Sequence, residues 1–110
     1  MSPQFYFIYI LECTNGALYT GYTTDIERRY REHQQGSAKC KYTRSFPPVK
    51  LSACWQIQAD ISSILKIERY IKALPRNNKK SLIVHPSSLQ KEFIDININE
   101  IVPKKCNYGR

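Results

Sequence analysis

Two runs of β-branched and aromatic residues, Phe5 to Cys13 (FYFIYILEC) and Ala17 to Tyr22 (ALYTGY), are separated only by Thr14-Asn15-Gly16, and no other part of the chain constrains its fold as much. Runs of this kind on either side of a short turn sequence form a β-hairpin. The turn can close in two ways. A two-residue type I′ turn on Asn15-Gly16, which propensity favours, pairs Glu12 with Tyr19 and sends Tyr9 and Tyr19 to opposite faces. A three-residue turn with Gly16 left-handed pairs Leu11 with Tyr19 and Tyr9 with Gly21, so both phenols share a face. Propensity favours the first register, whereas chemistry that uses both phenols needs the second, which is the expected one.

Thr23-Thr24-Asp25 offers a helix N-cap, and Ile26, Arg29, Tyr30 and His33 then recur along one side until Gly36. On a helix of about three turns Arg29 and His33 sit one turn apart on that stripe, whereas Arg28 and Arg31 project elsewhere. Residues 37–48 read as a loop ending at Pro47-Pro48, and 49–57 (VKLSACWQI) as a third strand. A second helix spans Asp60 to Leu74, with Ile61, Ile64, Leu65, Ile67, Ile71 and Leu74 forming a broad apolar arc. Glu68 falls inside that arc. A carboxylate is costly to bury alone, so Glu68 should meet a metal, a cation or a water-filled cleft; an ion pair with Arg29 or Lys72 is the plain alternative. Pro75 ends the helix, residues 77–84 suggest a shorter one, IDININEI alternates like an edge strand, and the last residues read as a loose tail. His85 reads as a loop or surface histidine.

The expected architecture is therefore α/β, a small three-stranded antiparallel sheet flanked by helices in the order β-β-α-β-α-α. Residues 1–93 form the domain and 94–110 a C-terminal extension. A chain of 110 residues can bury one core but not two.

A net charge of +8 on so small a body favours an anionic partner. The membrane alternative is weak, because no apolar run approaches the ~20 residues of a spanning helix. From His33 to Ala59 there is no acidic residue, so Lys39, Lys41, Arg44 and Lys50 lie unopposed, interleaved with Tyr42 and Phe46. A second run without acids, between Glu68 and Glu92, holds Arg69, Lys72, Arg76, Lys79, Lys80 and Lys91. Such a run alone is as readily a solvated face, but two runs flanking one cluster favour a groove for nucleic-acid phosphates. Cys13, Cys40, Cys54 and Cys106 are spaced too widely for a zinc knuckle or a CxxC pair and read as reduced thiols of a cytoplasmic protein. With only His33 and His85 as histidines, a three-histidine zinc site is excluded, and any catalytic metal must be held mainly by oxygen.

Tyr9, Tyr19, Arg29, His33 and Glu68 supply two phenols, a guanidinium, an imidazole and one carboxylate, the groups needed to cut a phosphodiester around one hard metal ion. Each type alone is ordinary; their spacing carries the weight. Over roughly residues 5–84 the chain resembles the GIY-YIG nuclease superfamily, most closely its small stand-alone bacterial members. Phe7-Ile8-Tyr9 is similar to the first motif and Tyr19-Thr20-Gly21 to the second. Thr24 to Tyr30 with His33 is similar to the first helix, and Glu68 to the single metal-binding glutamate. Ala38 to Val49, with Lys41-Tyr42-Thr43-Arg44, looks like the matching segment of eukaryotic flap nucleases in that superfamily. The family's first-motif glycine is Phe7 here, and a late asparagine of some members has no secure counterpart.

The resemblance implies hydrolysis with one Mg2+ or Mn2+ bound at Glu68. Arg29 would brace the phosphate, and Tyr9 would take a proton from the attacking water with His33 assisting, although His33 itself is the other candidate base. Tyr19 would orient water or phosphate, and Gly21 would allow close backbone approach. DNA would be the partner, branched or single-stranded, met by Lys39, Lys41, Arg44, Lys72, Arg76, Lys79 and Lys80. A monomer is favoured, with room for an activating partner protein. Two rival readings are a nucleic-acid-binding module that keeps the groove without turnover, and an interaction domain that dimerises through the Ile94 to Ile101 alternation.

Overall fold

The computed structural model describes residues 4–37, 40–93 and 98–104. In chain order these form β1 (Gln4–Cys13), β2 (Leu18–Thr23), α1 (Ile26–Gln35), α2 (Lys41–Ser45), β3 (Pro48–Ala59), α3 (Ile61–Ala73), α4 (Arg76–Val84), α5 (Ser88–Glu92) and β4 (Ile98–Pro103). The strands make one antiparallel sheet in the order β2-β1-β3-β4.

The hairpin closes through the three-residue turn. Leu11 pairs with Tyr19 and Tyr9 with Gly21, and Gly16 takes φ +84°, a left-handed conformation that glycine adopts without steric cost. The Gly16 amide donates to the Cys13 carbonyl at 2.8 Å and the Cys13 amide to Ala17 at 2.9 Å, which closes the ladder one residue earlier than a type I′ turn would. α1 begins where its cap residue predicts: the Asp25 carboxylate accepts from the Arg28 amide at 3.1 Å. It ends at a left-handed Gly36. Asp60 caps α3 in the same way through the Ser63 amide at 3.0 Å.

Several expectations need correction. The sheet has four strands, not three, because Ile98–Pro103 pairs with β3, Ile57 opposite Ile101 and Trp55 opposite Pro103. Pro103 was expected in a loose tail; an edge position tolerates it, since it needs no donor on its outer side. The Ile98 to Ile101 part of the supposed dimerising edge is thus paired within the chain. The stretch read as a loop contains α2, and a further short helix, α5, follows α4.

The sheet separates two apolar layers. On one face Ile8, Ile10, Trp55 and Ile57 pack with Ile64, Ile67 and Ile71 of α3, Leu82 of α4, Leu89 of α5 and Ile101 of β4. Trp55 Nε1 donates to the Pro86 carbonyl at 2.8 Å, so the largest buried side chain leaves no polar atom unpaired. On the other face Tyr9, Leu11, Cys13, Leu51 and Cys54 pack against Tyr30, with Ile26 and Tyr19 at the margin. Cys13, Cys40 and Cys54 are buried free thiols, and Cys106 lies outside the described residues. No described helix is long and apolar enough to cross a membrane.

Candidate active site

The hairpin register decides which side chains meet. Tyr9 stands on a central strand, 1% exposed, and its ring lies over Gly21 on the neighbouring strand. A Cβ at Gly21 would come within 2.5 Å of the Tyr9 hydroxyl and 2.7 Å of Cζ, so only glycine admits the ring there. His33 arrives from α1, fully buried, with Nε2 2.8 Å from the Tyr9 hydroxyl. Its other ring nitrogen, Nδ1, is 2.7 Å from Thr43 Oγ1, and Thr43 is itself fully buried on α2. Tyr19 meets the His33 ring edge-on, with centroids 5.2 Å apart.

Arg29, one turn before His33, reaches the Tyr9 hydroxyl within hydrogen-bonding range. It also donates through Nη1 to Glu32 Oε1 at 3.0 Å. Glu32 had no place in the expected constellation; its i,i+3 spacing from Arg29 was the available signal. Tyr42, also from α2, stacks on Tyr19 at 5.8 Å and 22°, and Asn15 Nδ2 in the hairpin turn donates to its hydroxyl at 2.9 Å.

Glu68 sits at the rim of the α3 apolar arc, not within it. Ile61, expected beside it in the core, is 43% exposed, and the Glu68 side chain retains 14% exposure with Lys72 Nζ at 3.6 Å. Its charge nonetheless reaches Tyr19. The ion pair that was the plain reading of Glu68 is thus present with Lys72, while Arg29 pairs with Glu32.

The electrostatics follow from burial. Desolvation pushes the Tyr9 phenol well above its usual range, and the Arg29 hydrogen bond opposes this without overcoming it. Burial likewise raises Tyr19, with the Arg29 charge opposing. Burial alone would lower Arg29, but its bonds to Tyr9 and Glu32 outweigh that and keep it protonated. His33 is lowered to about 4, by burial first and by the Arg29 charge second, against the pull of Glu32. It is neutral at physiological pH.

The His33 shift has a stability consequence. In the unfolded chain a histidine titrates near ~6.5, so as pH falls the unfolded state takes up the proton first. The contribution is present in full above that value and is lost as pH falls towards about 4. The whole shift is worth roughly 3 kcal/mol. Urea unfolding between neutral pH and pH about 4 should show the wild type losing about that much more stability than His33→Asn. Parallel curves for the two proteins would mean the imidazole is not held neutral by the fold.

The expected phosphate-binding cations fall into separate groups. Lys41 and Arg44 are exposed on α2, next to the cluster. Arg76 and Lys80 line a cavity with Lys50, Glu12, Leu18 and Ser52. Leu18 faces away from Tyr19, its neighbour in β2, so that cavity opens on the opposite side of the sheet. Lys79 is half-buried, Lys72 is the partner of Glu68, and Lys39 lies outside the described residues. Lys50, expected to be unopposed, has Glu12 of β1 at 3.9 Å across the sheet. His85 is exposed, as expected.

Residues 5–81 match the family described as GIY-YIG catalytic domain. A UPF0213 protein of Syntrophus aciditrophicus is 44% identical over 77 residues, covering 70% of this chain and 87% of its own. A UPF0213 protein of Haloquadratum walsbyi is 44% identical over 81 residues, covering 72% and 86%. The solution NMR structure of the UPF0213 protein BH0048 from Bacillus halodurans is 34% identical, covers 83% of this chain and 98% of that one, and has a TM-score of 0.49.

Proposed function

The chain belongs to the GIY-YIG family, and from that premise we propose that it is a divalent-metal-dependent endonuclease hydrolysing DNA phosphodiesters, selective for branched or flap structures and working in the cytoplasm. The observation that carries this reading is the Tyr9 hydroxyl held 2.8 Å from a buried, neutral imidazole while Arg29 reaches the same oxygen. Any buried phenol needs one partner for its hydroxyl, but here an imidazole and a guanidinium converge on the same oxygen.

Among the described residues no group of three or more His, Cys, Asp or Glu gathers in one place. Mg2+ commonly uses one or two carboxylates and fills its shell with water and phosphate oxygen, so a lone, partly shielded Glu68 fits Mg2+ or Mn2+. When bound, the ion would supply Lewis-acid polarisation of the phosphoryl oxygens.

The chain's own residues then divide the work. Tyr9 accepts a proton from the attacking water as its own proton passes to His33 Nε2, since a phenol raised by burial stays protonated at rest. The new bond joins the water oxygen to phosphorus, the bond to the leaving oxygen breaks, and that oxygen takes a proton from solvent. Arg29, always charged and braced by Glu32, steadies the equatorial oxygens. Tyr19 orients the phosphate. Lys41 and Arg44 guide the strand towards the cluster, and the Arg76 and Lys80 face would hold a second arm of a branched substrate.

The Lys72 ammonium beside Glu68 favours a second reading, a binding module in which the carboxylate is already satisfied. End-labelled flap, fork, four-way-junction, single-stranded and duplex DNA, each with Mg2+, Mn2+ or chelator, separate the two. The endonuclease yields metal-dependent internal cuts, strongest on branched forms; the binding module yields salt-sensitive complexes and no products.

A further inference from the structure

We infer that Thr43 is a positioning residue that fixes the tautomer of His33, placing the ring proton on Nδ1 and leaving Nε2 bare to receive the proton of Tyr9. This rests on the nuclease reading for its purpose, but not for its geometry. Thr43 Oγ1 has one proton to give and lone pairs to offer. It lies 3.3 Å from the Cys40 carbonyl, which can only accept, so the hydroxyl proton is directed there. With its proton given to that carbonyl, the oxygen presents a lone pair towards His33 Nδ1 at 2.7 Å, and Nδ1 is the donor. In a neutral imidazole the other nitrogen is then bare, and the 2.8 Å contact with Tyr9 must run from the phenol to Nε2. Both His33 and Thr43 are fully buried, where a flip of one bond's direction has no bulk water to compensate it.

The direction matters because of what it leaves on the phenolic oxygen. The Arg29 guanidinium is within reach of that oxygen and can donate to one of its lone pairs. With Nε2 bare, Tyr9 gives its proton inward and keeps a second lone pair for the incoming water. With Nε2 protonated, imidazole and guanidinium would both donate to Tyr9, no lone pair would remain, and no proton could be passed to His33. The hydrogen bonds from Tyr9 to His33 to Thr43 to the Cys40 carbonyl thus all point away from substrate, and α2, five residues long, supplies their end.

A long-range proton–nitrogen spectrum of the 15N-labelled full chain at neutral pH tests this without any substrate, since protonated and bare ring nitrogens resonate far apart. The expected result is a protonated Nδ1 and a bare Nε2 for His33, assigned by comparison with His85→Gln. Thr43→Val keeps the shape and removes the acceptor. It should shift the population towards the opposite tautomer and lower kcat about 100-fold with little change in KM, and Thr43→Ser should restore both. A wild type protonated at Nε2 overturns the proposal outright, even if Thr43→Val fails to fold. So does a folded Thr43→Val whose tautomer and rate match the wild type. Cleavage by a protein with the reversed tautomer would sink this inference and leave the nuclease standing; the expected tautomer in a protein that cuts nothing would do the converse.

Discussion

Glu68→Ala removes cleavage, by about a thousandfold or more, while DNA affinity stays the same or rises slightly. The reason is that Glu68 is the one carboxylate at the cluster free of a structural duty. It caps no helix, its side chain is 14% exposed, and its partner Lys72 is itself 53% exposed, so their ion pair adds little to stability. If an ion bound there offsets several kcal/mol of developing charge, losing it costs a factor of ten for each ~1.4 kcal/mol. Affinity, carried by lysines and arginines on both faces, loses no cation and gains Lys72 as a free one. Single-turnover cleavage and a binding titration on the same labelled DNA read the two effects separately. Retained cleavage in Glu68→Ala would remove the carboxylate from the mechanism.

Gly21→Ala is the second large effect, and it acts through Tyr9. Gly21 lies in a regular strand, where alanine is conformationally acceptable, so backbone strain is not the issue. The new Cβ would stand 2.5 Å from the Tyr9 hydroxyl, and the ring, buried and tied to His33, has nowhere to go without breaking that bond. The expected cost is about 1–3 kcal/mol in stability from overpacking, and a loss of cleavage of about 100-fold or more. Gly16→Ala makes an informative partner. There the added Cβ meets nothing within 4 Å but the residue holds φ +84°, so stability should fall by about 1 kcal/mol or more with the chemistry of folded molecules unchanged. Denaturant midpoints and initial rates for the pair distinguish strain from displacement. Equal activity in Gly21→Ala would mean that Tyr9 is not in a strict position.

Much of the site could be read from residue order because its geometry is local. The hairpin register follows from one turn, the Arg29–His33 spacing from one helix, and the Asp25 and Asp60 caps from single side chains. Turn propensity points to the other register, and Gly16 at positive φ shows why both are open to this turn: a left-handed residue can close a three-residue loop as well as a two-residue one.

What escaped was set by tertiary contact. α2 is barely more than one turn, too short for any hydrophobic period to register, yet it delivers Thr43 to His33 and Tyr42 to Tyr19. Nothing in Lys41-Tyr42-Thr43-Arg44 by itself says that Thr43 faces inward. The edge-strand alternation of IDININEI was legible, but not that Ile98–Pro103 would add to β3 as a fourth strand, with Ile101 buried against the core. Ile61 shows the reverse: a helical wheel puts it on the apolar arc, but as the first residue of α3 it is 43% exposed.

The most direct test of the central claim is Tyr9→Phe, which deletes one oxygen and leaves the ring that fills the core. The account predicts a folded protein that binds DNA as the wild type does and cleaves it about 100- to 10,000-fold more slowly in Mg2+ or Mn2+. Cleavage at the wild-type rate by Tyr9→Phe would contradict it, because the hydroxyl that His33 and Arg29 converge upon would then have no part in the reaction.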